Sequence, residues 1–328
     1  PALLEACGLE AIAAGAPDGT ERALAERLGC APIEDLVAAI GSVEAAVFLV
    51  LDGGGFGDRE DARHAEAVRR AAERGAHVVC AAPVPASLPE LASGRWQRSE
   101  QGLRPIEHVR LAPMPRRSRV WPEVAELLAD LTETHGPSDS ARIWCAAPPG
   151  TTGTGLALLG AADLLGALLG EPELIDAAKV GGHPDRRGRR SLARLTGEIH
   201  ALARTGEGRA ATLVAGDGAA RWSWSAHAAG PWGSIEVTPG GFVLRAIGAD
   251  TPDHRMLEPD PHELDEPWAT LAWYVRTRLA SGGQPDAPLN IEALVCTADA
   301  ALLSAATGEA ASPQTARRAV DPGHAGLW

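Results

Sequence analysis

The sequence predicts an α/β chain in which a doubly wound parallel sheet is followed by an open antiparallel β-sheet domain with covering helices. Over the first third of the chain, short apolar strands alternate with helical runs, which is the pattern of a parallel sheet. Further on, strand-like runs follow one another between Gly, Asp and Pro signals, which favours antiparallel pairing. The length of 328 residues fits two domains of roughly 100 to 200 residues each. We place them at residues 1–106 and 107–328.

In the first domain, apolar runs bounded by Gly and Pro predict strands, and runs with one apolar face predict helices. This alternation is typical of a Rossmann-like nucleotide-binding fold. The strands are predicted at 9–14, 45–51 and 77–81, and the helices at 20–28, 32–40 and 61–74.

A dinucleotide site in such a fold needs a glycine-rich turn, G-x-G-x-x-G, between the first strand and the first helix. Residues 1–7 have the pattern of the end of that helix, so we expect the strand and the turn to lie upstream of Pro1. The run 53–57 is rich in glycine, but polar residues separate it from the next predicted helix. We interpret it as a loop at the rim of a cleft rather than as a phosphate-binding turn.

In the second domain, the pattern predicts a meander of short strands and three long helices. The run Pro239-Gly240-Gly241 between two apolar segments indicates a hairpin turn. An apolar helix at 151–169 is expected to lie across the sheet, and helices at 266–279 and 290–307 close the chain. The strands are predicted at 141–146, 174–180, 191–202, 210–215, 220–226, 233–238 and 241–246.

The composition argues against several classes of protein. A net charge of -13 and a pI near 5.2 argue against a nucleic-acid-binding face, and we interpret the basic clusters 116–119 and 186–190 as solvated loops. No apolar run reaches the roughly 18 residues that a membrane span needs. Together with the absence of a signal-peptide pattern at the start, this predicts a soluble cytoplasmic protein. The five cysteines are scattered without metal-ligand spacing, which predicts reduced thiols and no metal site.

Six segments, taken together in their order and spacing, carry a resemblance to a known family. The chain resembles the Gfo/Idh/MocA family of glucose-fructose oxidoreductases and inositol dehydrogenases from about Leu3 to Ala306. No single segment is specific to the family. The six segments are residues 22–29, 43–50, 64–68, 75–79, 163–172 and 230–237.

This resemblance implies a dinucleotide cofactor, NAD or NADP, and a substrate that is a sugar or polyol. It also implies a homo-oligomer that associates through the open face of the C-terminal sheet. The family's acidic residue that binds the adenosine ribose falls at Gly15 or Ala16, neither of which is acidic. Carried over by position, the residues nearest the cofactor are Ala16, Leu51, Asp52, Ala81, Pro83 and Trp121.

At the positions that match the family's catalytic residues, the titratable side chains are missing. The family's Glu-Lys-Pro motif is replaced by Ala81-Ala82-Pro83, so that Ala82 stands in place of the catalytic lysine. On the long apolar helix, Leu156 and Gly160 stand in place of the family's Asp and His. Only Asp163, which matches the family's second Asp, keeps a carboxyl group.

Removal of a hydride from a sugar carbon needs a base that takes the hydroxyl proton. The candidate substitutes are Asp163, Asp52 and His183. For Asp163 we favour a role in helix packing, and Asp52 could hydrogen-bond its own turn. Two functions therefore stay open. One is an NAD(P)-dependent oxidoreductase with altered proton-transfer residues, and the other is a catalytically inactive pseudoenzyme that binds a ligand or serves as an oligomeric scaffold.

Overall fold

The computed structural model of the protein describes residues 2–15, 21–33, 47–51, 69–74, 76–92, 96, 109–111, 113–148, 153–182, 191–258, 264–280 and 289–320. Its first part contains two small parallel sheets. Strands β1 (Ala13–Gly15) and β2 (Ala31–Ile33) form one of them. Strands β3 (Val47–Val50), β4 (His77–Cys80) and β5 (Val109–Leu111) form the other, with β4 in the middle. The predicted parallel architecture is confirmed.

Helices α1 (Ala2–Cys7), α2 (Glu21–Leu28) and α3 (Leu88–Ala92) accompany these strands, and residues 69–73 are also helical. The start of the predicted helix 32–40 is wrong, because residues 31–33 pair with β1 as a strand. Pro32 cannot donate a hydrogen bond, but an edge strand tolerates this. Strand pairing therefore overrides local helix preference at this point.

The parallel sheet extends past residue 106, because β5 pairs with β4 from Val78↔Val109 to Cys80↔Leu111. After β5 comes a 3₁₀ turn, Pro115–Arg117, and then helix α4 (Trp121–His135). These two elements carry the chain from the end of the parallel sheet into the second part.

The second part is built on an eight-stranded sheet in the order β13-β12-β11-β10-β6-β9-β8-β7. All neighbours are antiparallel except β6 and β9, which are parallel, so the predicted antiparallel sheet is confirmed with one parallel pair. The strands are β6 (Ser140–Ala146), β7 (Pro172–Val180), β8 (Glu198–Thr205), β9 (Ala210–Gly216), β10 (Ser223–Gly230), β11 (Gly233–Thr238), β12 (Gly241–Ala246) and β13 (Asp253–Met256).

Two details of this sheet bear on the sequence predictions. The hairpin is confirmed, since Thr238 pairs with Gly241 across Pro239 and Gly240. The strand predicted at 191–202 is wrong in its first half, where a 3₁₀ turn at Leu192–Arg194 precedes β8. Gly197 separates the two, because its φ of 84° interrupts an extended backbone.

Helices α5 (Gly153–Leu169) and α7 (Ile291–Thr307) cover one face of the large sheet, and α8 (Pro313–Val320) packs on α7. Nearly all of α5 is buried. Its Gly155 allows close approach, because a Cβ there would lie 2.0 Å from the carbonyl oxygen of Leu192. The opposite face of the sheet carries no helix among the described residues.

Helix α6 (Trp268–Tyr274) continues into a π-helix (Val275–Ala280) and returns to the first part of the chain. Leu271 and Tyr274 are buried in a cluster with Ala6, Cys7 and Val79. The C-terminal part therefore helps to cover the parallel strands. Among the described helices, none has the length and apolar character needed to cross a bilayer.

Candidate functional site

The carboxyl ends of β3, β4 and β5 lie side by side, and in open parallel sheets ligands bind beyond such ends. Leu51 follows β3 and is 40% exposed. Ala81 follows β4, and its backbone N–H donates to the carbonyl of Val50 at 2.8 Å. These two ends therefore present an exposed Leu and a small apolar residue.

The three residues that follow β4 have no side chain that can transfer a proton. Ala81, Ala82 and Pro83 are all buried. The segment is held by main-chain contacts further on, where the N–H of Leu192 donates to the carbonyl of Ala86 at 2.8 Å. Ala82 is thus fixed in place and shielded from solvent.

The segment after β5 is charged, and its Arg116 is bound to Asp163 of α5. Arg116 Nε donates to Asp163 Oδ1 at 2.6 Å, and the Arg116 backbone N–H donates to Oδ2 at 3.4 Å. The side chain of Asp163 is 0% exposed, whereas that of Arg116 is 33% exposed. Burial raises the pKa of the Asp163 carboxyl, and the Arg116 guanidinium partly offsets this effect.

The other two arginines of this segment have different partners. Arg117 is 3% exposed, and its guanidinium lies 4.2 Å from the centre of the Tyr274 ring. Arg119 donates from Nη1 to the carbonyl of Glu258 at 3.1 Å. The interpretation of residues 116–119 as a solvated loop is therefore wrong for Arg117 and for Ser118, which is also buried.

Gly160, which stands in place of the family's histidine, is closely surrounded by other residues. A Cβ at Gly160 would lie 3.3 Å from Pro115 Cδ and 3.7 Å from Cys145 Sγ, so any side chain at this position requires Pro115 to shift slightly. Leu156, one turn earlier, is buried in the same core. Burial, together with the neighbouring Asp163, raises the pKa of the Cys145 thiol, which makes it an unreactive thiol.

Trp121, the last of the described cofactor positions, is buried at the start of α4, where its backbone N–H donates to the carbonyl of Ser118 at 3.2 Å. Like Trp121, the other described cofactor positions, Leu51, Ala81 and Pro83, carry no charged side chain. Ala16, Asp52 and His183 lie outside the described residues. Within the described parts of the chain, no group of three or more His, Cys, Asp or Glu side chains could hold a metal ion.

Arg116 is the charged residue of this site that the sequence analysis did not identify. It is 47 residues from Asp163 in the sequence, so no local spacing connects the two. The available signal is its place, a short basic run soon after a strand. In a parallel sheet, such a position lies at the ligand-binding edge.

No protein-family model and no curated protein matches the chain, but solved structures do. A levoglucosan dehydrogenase in complex with NADH and levoglucosan is 16% identical, with a TM-score of 0.69 over 95% of this chain and 94% of that chain. An NAD binding oxidoreductase from Klebsiella pneumoniae is 13% identical, with a TM-score of 0.69 and the same coverage of 95% and 94%.

An oxidoreductase from Agrobacterium radiobacter in complex with NAD+, L-tartaric acid and magnesium is also similar, at 13% identity and a TM-score of 0.67 over 96% of this chain and 95% of that chain. All three similarities extend over both parts of the molecule, and at these identities they concern the fold. The chain therefore has the fold of these solved structures, and this is the fold that its sequence resemblance to the Gfo/Idh/MocA family predicts.

Proposed function

We propose that the protein is a relative of the Gfo/Idh/MocA oxidoreductases that binds NAD or NADP and a hydroxylated small molecule, a sugar or polyol. The observation that carries this proposal is the seam between the two parts, where the turn at Pro115–Arg117, which follows β5 of the parallel sheet, meets α5. Solved structures with this fold hold NADH together with levoglucosan, or NAD+ together with L-tartaric acid.

The cofactor would lie against the apolar strand ends, with Leu51, Ala81, Pro83 and Trp121 beside its nicotinamide. When bound, a nicotinamide supplies hydride transfer. The protein itself would bind and orient the nicotinamide, and the small side chain of Ala81 would let the backbone come close to it. Asp52 and Ala16 stay predictions for the ribose side.

A second function stays open because the family's catalytic positions lack residues that could transfer a proton. Ala82, Leu156 and Gly160 cannot exchange a proton, and the buried Asp163 is engaged by Arg116. Asp52 and His183 stay candidate bases. The contact between Gly160 and Pro115 favours the alternative, a pseudoenzyme that binds a ligand without hydride transfer, because a side chain in place of the family's histidine would require Pro115 to shift slightly.

Titration of the protein with NADH and with NADPH, by calorimetry and nicotinamide fluorescence, tests the proposal. We expect micromolar binding that Leu51→Asp weakens by about tenfold or more, since an acid at the rim repels the anionic cofactor. Ile12→Asp is the matched control, because Ile12 is an exposed apolar residue that precedes β1 and so lies at the amino end of a strand. No binding of either nucleotide would refute the proposal.

Turnover then separates the two functions. With NAD or NADP bound, a panel of sugars and polyols is tested for reduction of the cofactor, and the products are identified. Turnover supports the oxidoreductase. Binding without turnover of any member of the panel supports the pseudoenzyme.

We also propose that the chain forms a homo-oligomer through the open face of the large sheet. Trp144 on β6 is 39% exposed on this face, and Leu202 on β8 is 38% exposed. Light scattering on Trp144→Arg should show a smaller assembly than the unchanged protein. The control is Ile247→Arg, which alters an exposed residue in the turn after β12. A monomeric unchanged protein would refute this assembly.

All five cysteines are free thiols, and four of them are buried. Free thiols persist in reducing compartments, which supports the cytoplasmic location that we propose. Fractionation of cells that express the tagged protein tests this location, and recovery outside the cytoplasm would contradict it.

A further inference from the structure

We propose that Arg116 is an anion receptor, so that the molecule bound in this cleft carries a carboxylate or a phosphate group. This inference rests on the proposed function, whose substrate class it narrows. Arg116 lies in the turn that follows β5, at the ligand-binding edge of the parallel sheet, and faces α5 across the seam.

The hydrogen bonds of Arg116 leave its outer nitrogens available. Asp163 accepts a hydrogen bond from Nε, and the described residues accept none from the terminal nitrogens Nη1 and Nη2. One third of the side chain is exposed. A guanidinium held in this way presents a fork of donors whose spacing matches the two oxygens of a carboxylate or phosphate.

The neighbouring arginines provide the comparison. Arg117 is buried against the ring of Tyr274, and Arg119 is bonded to the main chain of residue 258. In both residues the guanidinium group itself makes a contact within the protein. Arg116 combines a hydrogen bond to a fully buried carboxylate with a side chain that is one third exposed, which is the arrangement of a binding group rather than of a packing group.

Asp163 acts as the positioning residue for this receptor. Its two carboxylate oxygens accept hydrogen bonds from the side chain and the backbone of Arg116, which fixes both the guanidinium and the turn. Because Asp163 is fully buried, it cannot itself meet the ligand. A ligand anion would be the second partner of a guanidinium that already has one carboxylate, and the exposed side of the fork is where it binds.

Calorimetric titration with inorganic phosphate and with L-tartrate tests the proposal, at constant ionic strength maintained with NaCl. The test variant is Arg116→Gln combined with Asp163→Asn, which removes both charges and leaves no buried carboxylate without its partner. Arg119→Gln is the matched control in the same segment. We expect the double variant to weaken binding of the better of the two anions by about ten- to one-hundred-fold, and the control to leave it unchanged.

Three results would overturn the inference: neither anion binds the unchanged protein, the double variant binds as well as the unchanged protein, or Arg119→Gln loses as much affinity as the double variant. Preference for tartrate would identify a carboxylate ligand, and preference for phosphate a phosphorylated one. D-Sorbitol, a neutral polyol, should bind equally to the unchanged protein and the double variant.

The same titrations in saturating NADH separate this inference from the proposed function. If NADH displaces the anion, Arg116 serves the phosphates of the cofactor and the substrate assignment is wrong. If NADH does not bind but the anion does so through Arg116, the proposed cofactor is wrong and the anion receptor stands.

Discussion

The segments that follow β4 and β5 start from adjacent strands of one sheet, yet they differ in chemistry. After β4 come Ala81, Ala82 and Pro83, which are buried and apolar. After β5 comes the turn Pro115–Arg117, whose arginines contact α5 and α6. The charged groups thus follow β5, whereas the resemblance places the family's lysine after β4. The first segment can support binding through shape, and the second can support it through charge.

The largest expected effect comes from the ion pair beyond β5, because its two partners differ in burial. Arg116→Gln leaves the buried Asp163 without its cation and should lower the free energy of unfolding by about 3–5 kcal/mol. Asp163→Asn leaves a guanidinium that water can reach and should cost about 1 kcal/mol or less. Urea unfolding of both variants measures the difference. Equal costs would show that the pair is solvated on both sides.

Two glycines of α5 test how tightly this helix is held against the segments beyond the strands. Gly155→Ala should cost about 2–3 kcal/mol, because its Cβ would meet the Leu192 carbonyl oxygen at 2.0 Å. Gly166→Ala on the exposed side of the same helix meets nothing within 4 Å and should stabilise the protein by about 0.5–1 kcal/mol. Thermal unfolding measures both. A harmless Gly155→Ala would contradict the close contact.

The pH dependence of stability tests the burial of Asp163. Because its pKa is raised from 3.8 in the folded protein, the folded state keeps a proton that the unfolded chain releases. The stabilisation that this proton gives the folded state is fully present below about pH 3.8 and is lost as pH rises through the folded pKa. Over that range the free energy of unfolding falls by at most about 1.4 kcal/mol per pH unit. Urea unfolding of the protein and of Asp163→Asn over a pH series should show the two curves diverging as pH rises. Parallel curves for the two proteins would contradict the raised pKa of Asp163.

The smallest effect concerns the contact of Arg117 with α6. The Tyr274 hydroxyl is buried and has no hydrogen-bond partner among the described residues, so Tyr274→Phe should be neutral or stabilise by up to about 1 kcal/mol. Tyr274→Leu removes the ring as well and should destabilise the protein by more than 1 kcal/mol. A cost for Tyr274→Phe comparable with that of Tyr274→Leu would show that the hydroxyl, and not the ring, is the partner.

Most of the fold could be predicted from the sequence, because strand and helix periodicities are local signals. The alternation up to β4, the hairpin at Pro239 and Gly240, and the helices α5 and α7 all come from such patterns. Helix α4 is absent from the prediction although Pro122 near its start and the spacing of Leu127, Leu128 and Leu131 are visible signals. Strand β5 has three residues, too few for any period to show.

The site could be predicted only in part, because its geometry depends on contacts between distant residues. The absence of titratable groups at Ala82, Leu156 and Gly160 can be seen in the sequence once the resemblance is recognised. The pairing of Arg116 with Asp163 and the packing of Pro115 on Gly160 need the folded chain. The parallel pairing of β6 with β9 has the same origin, since no local pattern fixes the partner of a strand.

The main-chain contact at Leu192 gives the cleft a fixed end. Its N–H is bonded to Ala86 beyond β4, while its carbonyl lies against Gly155 at the start of α5. Any opening of the seam at this point breaks the hydrogen bond from Leu192 to Ala86 and the close packing of Leu192 on Gly155, so relative motion would pivot about residue 192. The amide proton of Leu192 should therefore exchange with solvent as slowly as those of the central strands.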